Sequence, residues 1–534
     1  ETAIYVDGGL VRNLPVDIVR AMDVEVVIAV NLGSSYLKRD QLGTILGVAG
    51  QMIAILTEQN VERSLTEIDP DWDILIAPDL GNITASDFNR NREAIAAGER
   101  AARKMVDTLS RYSVDEAQYG AWRTECLARI PERIDTVDEV RFAALRHVNP
   151  GFFKNIKTRH EGKPFNRKEV EADLLPIYGR GDFERVTYRL TNDHGQRLLM
   201  IDAVEKAWGP GYLSFGLGLS TDGQGDSRFG VRGTYRQTWI NSLGADWTTS
   251  LTLGNAPALT SEFYQPFNLI HPAFVAPYID INQSPMAIYY ESQRIAQYDI
   301  TRYTLGTDFG VIIGNSVELR AGPYFREARF ELDTGDPLLS EGHSAQSGVR
   351  ARVLYDTLDN AYIPRSGMRF VSGYERPMDA FKADVEYDRL EGAWTGATSI
   401  RGHSLVANLR GGTNFNDPIP YYDQFALGGL HNLSGYANDQ FRGNQMAYAN
   451  LIYQWRLAEL TPPLGRGIYM GGSLEFGRLW DVAGSNQGTP LFSEKNRYSS
   501  SIFTSLDTWF GPLYIAYGIT ADGDSTIYVL LGRP

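Results

Sequence analysis

From about residue 206 to the end, the sequence alternates apolar and polar residues, and nowhere does it hold an apolar run long enough for a helix to cross a membrane. In Tyr212–Ser220, Leu213, Phe215, Leu217 and Leu219 share one face, and Ser214, Gly216, Gly218 and Ser220 share the other. Tyr448–Leu457 repeats the pattern, with Leu451, Tyr453, Trp455 and Leu457 set against Asn450, Gln454 and Arg456. Leu405, Ala407 and Leu409 likewise oppose Ser404, Asn408 and Arg410. Successive side chains of a strand point to opposite faces, so each segment has one apolar face and one polar face. A water-soluble sandwich or propeller also alternates. Against that stand the Arg, Asn and Gln on the second face, the lack of a short repeat, and Tyr and Trp at interfacial positions. A closed sheet with lipid outside and water inside fits better. The stretch holds 534 − 205 = 329 residues, which at ~10 residues per strand plus turns gives an antiparallel transmembrane barrel of about 16 strands.

Composition removes several function classes. A net charge of −14 lacks the basic footprint of a nucleic-acid binder. The single cysteine, Cys126, excludes an internal disulfide and any multi-cysteine metal site. The seven histidines show no metal-ligand spacing, and no cofactor is implied. A chain of 534 residues suggests two to four domains.

Residues 1–112 read as α/β. A strand at Thr2–Val6 runs into Asp7-Gly8-Gly9, followed by a helix near Pro15–Met22. A strand at Val24–Val30, a helix at Leu42–Leu65, a strand at Asp73–Ala77 and a helix at Asn89–Leu109 follow. Three strands are few for a free-standing doubly wound domain. The chain opens at Glu1 directly in a strand, so this reads as the C-terminal part of one. Asp-Gly is a common turn dipeptide; an acid at a strand tip beside glycines also leaves room for a substrate. Val6-Asp-Gly-Gly-Leu-Val-Arg-Asn13-Leu-Pro15-Val resembles the segment carrying the catalytic aspartate of patatin-like phospholipases. Met52–Leu65, Ile76–Leu80 and Ser86–Gly98 are similar to that family's downstream segments. The resemblance implies that Asp7 is the base of a serine–aspartate dyad, with Gly8 and Gly9 as its supporting turn. The family's Gly-x-Ser-x-Gly nucleophile is absent from the chain: Gly342-His-Ser344-Ala-Gln346 and Gly402-His-Ser404-Leu-Val406 both lack the second glycine. The chain by itself is therefore expected to be inactive.

Residues 113–135 read as a helical linker opened by the capping pattern Ser113-Val-Asp-Glu116. Residues 136–205 read as a strand at Thr136–Leu145, two helical segments and a hairpin of Arg185–Leu190 with Arg197–Glu205. Gly162, Phe165 and Gly179-x-Gly181-Asp-Phe183 resemble the polypeptide-transport-associated (POTRA) domain. That resemblance implies docking of an extended chain by strand addition to a sheet edge.

Within the barrel region, Tyr355–Gly367 resembles a hairpin signature of the superfamily of outer-membrane assembly proteins and two-partner secretion transporters. Gly428–Tyr436 is similar to that superfamily's inward-folded loop, which ends in Arg-Gly-Tyr or Arg-Gly-Phe, and Glu475-Phe-Gly477 to the wall strand supplying the loop's acidic partner. The site residues so implied are Gly435, Tyr436 and Glu475. Here Ser434 stands at the arginine position, which removes the ion pair and leaves Glu475 facing a watery lumen. Over the whole chain, the order of parts resembles the type Vd autotransporters, bacterial patatin-like phospholipases fused to their own outer-membrane barrel. The resemblance implies a surface-delivered lipid acyl hydrolase in the full-length protein, with a periplasmic POTRA domain. Its implied partners are phospholipid substrate, outer-membrane lipid, the chain's own passenger and the barrel-assembly machinery, with a homo-oligomer possible. The alternative is a non-enzymatic protein-translocation or barrel-assembly protein whose N-terminal piece is a scaffold.

Overall fold

In the computed structural model, the structure describes residues 8–33, 45–81, 83, 90–128, 136–223, 225–269, 273–290, 293–337, 341–415, 417–459, 467–481, 494–508 and 511–532. Two compact units divide the chain, Glu1–Arg133 and Ile134–Pro534.

The second unit is dominated by a closed antiparallel barrel. Its wall strands are β1 (Gly211–Asp222), β2 (Ser227–Gln237), β3 (Asp246–Gly254), β4 (Ala258–Pro266), β5 (Ala273–Tyr290), β6 (Gln293–Ile313), β7 (Val317–Gly335) and β8 (Gly342–Ala345 with Gly348–Asp356). They continue through β9 (Gly367–Pro377), β10 (Arg389–Ile400), β11 (His403–Thr413), β12 (Gln445–Glu459), β13 (Gly467–Trp480), β14 (Arg497–Thr508), β15 (Gly511–Thr520) and β16 (Ser525–Gly532). The two pieces of β8 pair with β7 in one register, from Val317↔Tyr355 to Phe330↔Gly342, and so count as one strand with a gap at Gln346-Ser347. The ring closes where β16 pairs with β1 over Tyr528↔Asp222 to Gly532↔Gly218. This is the sixteen-stranded wall the alternation implied. Its orientation also follows the sequence: Phe215 is 77% exposed and Leu451, Trp455 and Leu457 are exposed, whereas Asn450 and Gln454 are buried on the inner side. Apolar side chains facing outward are stable only against lipid, so the lumen takes the polar set.

The Tyr355–Gly367 turn is built by its own side chains. The Asp359 carboxylate accepts from the Arg365 and Ser366 amides at 2.8 and 3.0 Å, and Asn360 Oδ1 from Tyr362 and Ile363 at 2.8 and 3.1 Å. These satisfy backbone donors that no ladder reaches.

Ahead of β1, at the rim where the chain enters the wall (the near rim), lies a small α+β unit. Glu139–Phe142 pairs parallel with Gln196–Glu205, which pairs antiparallel with Phe183–Asp193. Helices Lys154–His160 and Arg167–Gly179 cover the sheet through Val140, Phe153, Leu174, Phe183, Leu199 and Ile201. The single strand expected at Thr136–Leu145 is split. Thr136–Val137 pairs with Lys163–Pro164, and at Asp138 the chain changes partner as its carboxylate takes the Arg197 amide and guanidinium at 2.8, 2.9 and 2.7 Å.

The small unit is fastened to the near rim at the β2–β3 connection. Asp182, buried, accepts from Arg180 Nε and from Trp239 Nε1, both at 3.1 Å. The Arg180 guanidinium lies 4.9 Å from the Phe152 ring and 5.1 Å from the Trp239 ring, and Asn149 donates to the Ser242 carbonyl at 2.8 Å.

The first unit has a two-stranded parallel sheet, Ile28–Val30 with Ile74–Ile76, and helices Val16–Arg20, Ile45–Leu65, Asn91–Lys104 and Glu116–Ala128. Leu14, Val16, Val27, Ala29 and Val61 form its core. The strand expected from Val24 begins only at Ile28 because the Val27 amide donates to Asp73 Oδ1 at 2.8 Å instead of to a ladder. Burial pushes the Asp73 pKa up, but the Val27 and Asp69 amides and Arg20 outweigh it and hold the carboxyl below its ordinary value. Two strands, not three, are present among the described residues; the strand expected at Thr2–Val6 lies outside them.

Candidate functional site: an inward loop held to the barrel wall

The connection from β11 to β12 leaves the far rim, and its described residues 414–415 and 417–444 fold into the lumen. Within this loop, Phe425–Leu427 pairs antiparallel with Phe441–Gly443. Phe425, Leu427, Leu433 and Tyr436 pack with Met446, Tyr448 and Leu479 of the wall. The tip turns sharply. At Gly428 a Cβ would meet the Ala437 carbonyl oxygen at 2.1 Å, and at Gly435 it would meet Thr520 Cγ2 at 2.8 Å, so both sites need glycine. Leu433, fully buried, adopts φ +78°, a region that L side chains avoid. That conformation aims the Leu433 amide at the wall.

Its target is Glu475 on β13. Glu475 Oε2 accepts from the Leu433 amide at 2.8 Å, the Ser434 amide at 2.6 Å and Ser499 Oγ at 2.9 Å. Oε1 accepts from Ser434 Oγ at 2.7 Å and Ser473 Oγ at 2.5 Å. His431 Nδ1 lies 3.8 Å from Oε1, beyond hydrogen-bond reach. No arginine pairs with Glu475 among the described residues, so the missing ion pair is as the sequence implied. The watery lumen is not: the carboxylate is fully buried and has five donors. Neutral donors have replaced the guanidinium.

Gly435 and Tyr436 extend the attachment to β16. The Gly435 carbonyl accepts from Thr526 Oγ1 at 3.2 Å, and the Tyr436 carbonyl from the Tyr528 hydroxyl at 2.8 Å. The Tyr436 ring packs edge-on against Phe441, with centroids 4.9 Å apart. The wall is cut back to admit the tip: a Cβ on Gly477 would meet Leu433 Cδ1 at 2.8 Å, and one on Gly518 would meet the Gly435 nitrogen at 2.6 Å.

A second attachment lies at Asp423. Oδ1 accepts from Arg302 of β6 at 3.1 Å, and Oδ2 from Gln346 in the β8 gap and from the Tyr387 hydroxyl, each at 2.8 Å. The Asp423 carbonyl takes Arg389 Nε at 3.1 Å. Sequence reasoning missed Asp423, which no local pattern distinguishes. It also missed Ser473 and Ser499, although Ser473 stands two residues before Glu475 and so shares its face.

Residues 222–533 match the Omp85 superfamily domain, more than half of the chain. The chain belongs to the Omp85 superfamily. Its fold is similar to that of BamA from Haemophilus ducreyi lacking POTRA domains 1-3, at 14% identity and a TM-score of 0.55, over 74% of this chain and 85% of that one. It is also similar to that of CdiB from Escherichia coli, at 15% identity and a TM-score of 0.50, over 74% and 76%. An Omp85 barrel of this closure belongs to the bacterial outer membrane.

These matches correct the expectation of an acyl hydrolase. The family and the matched folds are those of Omp85 barrels, not of hydrolases, and nothing in the described structure marks an enzyme. Asp7 lies outside the described residues. Gly8 precedes a short helix, Gly9–Arg12, and Gly9 is its first residue.

Proposed function

We propose that this Omp85 protein is a non-enzymatic outer-membrane translocation or barrel-assembly protein. The observation that carries the reading is the inward loop, held across the lumen at Asp423 and Glu475 with Gly435 and Tyr436 at its tip. A passive pore would leave the α+β unit fastened to its rim unexplained. On this reading residues 136–205 are a POTRA domain on the periplasmic side. Its edge strand, Phe183–Asp193, has one side unpaired in the sheet order and offers backbone groups to an extended polypeptide. The N-terminal unit is read as a scaffold or passenger on the same chain with a patatin-like fold, residues 113–135 linking it to the POTRA domain.

The test is photo-crosslinking in cells from a probe residue placed at Arg189 on the edge strand. Crosslinks to unfolded outer-membrane or secreted polypeptide are expected, and should fall when the probe moves to the covered position Leu199. Equal yields from the two positions would remove the strand-addition reading and leave the barrel assignment standing.

A further inference from the structure

Three guanidinium groups lie against aromatic rings of the inward loop. Arg389 is 4.5 Å from the Phe425 ring centroid, Arg497 is 3.9 Å from that of Phe441, and Arg442 is 5.9 Å from that of Tyr421. The first two also have oxygen acceptors. Arg389 donates to Glu391 Oε2 at 2.9 Å and to the Asp423 carbonyl at 3.1 Å, and Arg497 to the Lys495 carbonyl at 3.2 Å. Arg442 has none among the described residues. Its side chain makes no hydrogen bond or ion pair with them, its Nε is occluded, and the residue is only 9% exposed.

The fold of the loop puts Arg442 on the side away from the wall. In the loop's short ribbon it stands opposite Ala426, while Phe425 and Leu427 stand opposite Gly443 and Phe441. Cross-strand partners share a face. Phe425 and Leu427 take the face that packs on Met446, Tyr448 and Leu479, so Arg442 turns the other way with Ala426. There it meets Tyr421, which packs against the apolar cluster of Ile288, Tyr298, Ile300 and Phe330 on β5–β7. The Tyr421 hydroxyl likewise has no hydrogen-bond partner among the described residues. Arg442 lies three residues ahead of β12, whose first residue, Gln445, is at the far rim.

A guanidinium keeps its charge at any working pH. Taking it out of water without a counter-charge is costly, so a buried cation with no acceptor in its own chain marks the place of one supplied from outside. Its flat fork of N–H donors matches the paired oxygens of a carboxylate or a phosphate. We infer that Arg442, with Tyr421 beside it, is a binding site for an oxyanion at the far mouth of the lumen. A carboxylate on a polypeptide side chain and a free phosphate present the same oxygen edge to it.

Isothermal titration of the full chain in non-ionic detergent at constant ionic strength tests it, with sodium acetate in one arm and inorganic phosphate in the other. Saturable binding of acetate, phosphate or both is expected, and the stronger arm names the source. Arg442→Gln should weaken that binding about tenfold or more, the size of a charge-assisted hydrogen bond. Arg329→Gln, at an arginine 54% exposed and paired with Glu327, should leave it unchanged. Stability gives a second readout. Without either anion, Arg442→Met should raise the urea midpoint of the barrel, because it removes a buried charge that nothing opposes; adding the anion should narrow the difference. Heat-modifiable migration checks that each variant is folded. No saturable binding in either arm, binding that survives Arg442→Gln, or a lowered midpoint for Arg442→Met without anion would overturn the assignment.

Discussion

The Asp423 carboxylate of the inward loop takes a guanidinium; the Glu475 carboxylate of the wall takes amides and hydroxyls. Both carboxylates sit in the lumen, and both tie the same loop to the wall. The Asp423 attachment gains from Coulomb attraction to Arg302, and with the two side chains 10% and 18% exposed salt screens that pair only in part. The Glu475 attachment spreads one negative charge over five short hydrogen bonds, two of them from backbone that is fixed already. A buried charge pair must repay the desolvation of both ions, whereas Glu475 desolvates only one. A carboxylate can therefore lose its arginine and remain an anchor, provided the main chain turns its donors inward, as Leu433 does at a cost in backbone strain.

The contrast breaks most visibly at Glu475. Glu475→Leu removes the acceptor that five donors share and is expected to destabilise the folded barrel by about 3–5 kcal/mol. Urea unfolding in lipid vesicles measures this, and single-channel conductance should rise as the loop is released. Asp423→Asn should cost about 1–3 kcal/mol, because Arg302 loses its charge partner while an amide oxygen keeps one hydrogen bond. Its penalty should shrink modestly with rising salt and that of Glu475→Leu should not; identical salt dependence would erase the distinction. Ser434→Ala removes one of five donors and should cost about 1 kcal/mol. If instead it matches Glu475→Leu, the serine carries the anchor and the backbone amides do not.

The smallest effect lies outside the membrane, at Glu205 on the last strand of the α+β unit. Burial raises its pKa, but the Val148, His147 and Arg146 amides and the His147 ring outweigh that and hold it below the ordinary carboxylate value. A depressed folded pKa means stability that is present above the unfolded value, about 4.3, and lost as pH falls through the folded one. The protection factors of the amides of residues 146–148, taken relative to the intrinsic exchange rate at each pH, should fall below that range in the wild type and be low already at neutral pH in Glu205→Gln.

The wall was legible because alternation is a local signal, and Leu451, Tyr453, Trp455 and Leu457 could face only lipid once Asn450 and Gln454 lay opposite. Glu475 and the Gly435-Tyr436 tip could be marked from their spacing. What holds them could not be. Serines give no periodic signal, and the donors at Leu433 and Ser434 depend on backbone dihedrals rather than on residue type. Asp423 is defined by Arg302, Gln346 and Tyr387, and Arg302 lies more than a hundred residues away. In the N-terminal unit the acyl-hydrolase reading leaned on the turn around Asp7, which lies outside the described residues, and on the downstream segments Met52–Leu65, Ile76–Leu80 and Ser86–Gly98, none of which carries a nucleophile motif.

The two-residue gap in β8 bears on how this wall tolerates insertion and deletion. Skipping an even number of residues returns the strand to the same phase, so His343 and Ala345 still face outward with Val349 and Ala351 beyond the interruption. Removing or adding a pair of residues at Gln346-Ser347 would shorten or lengthen the projecting hairpin and leave every face in place. Adding one would turn the upper segment inside out. The wall can be resized here, but only in steps of two.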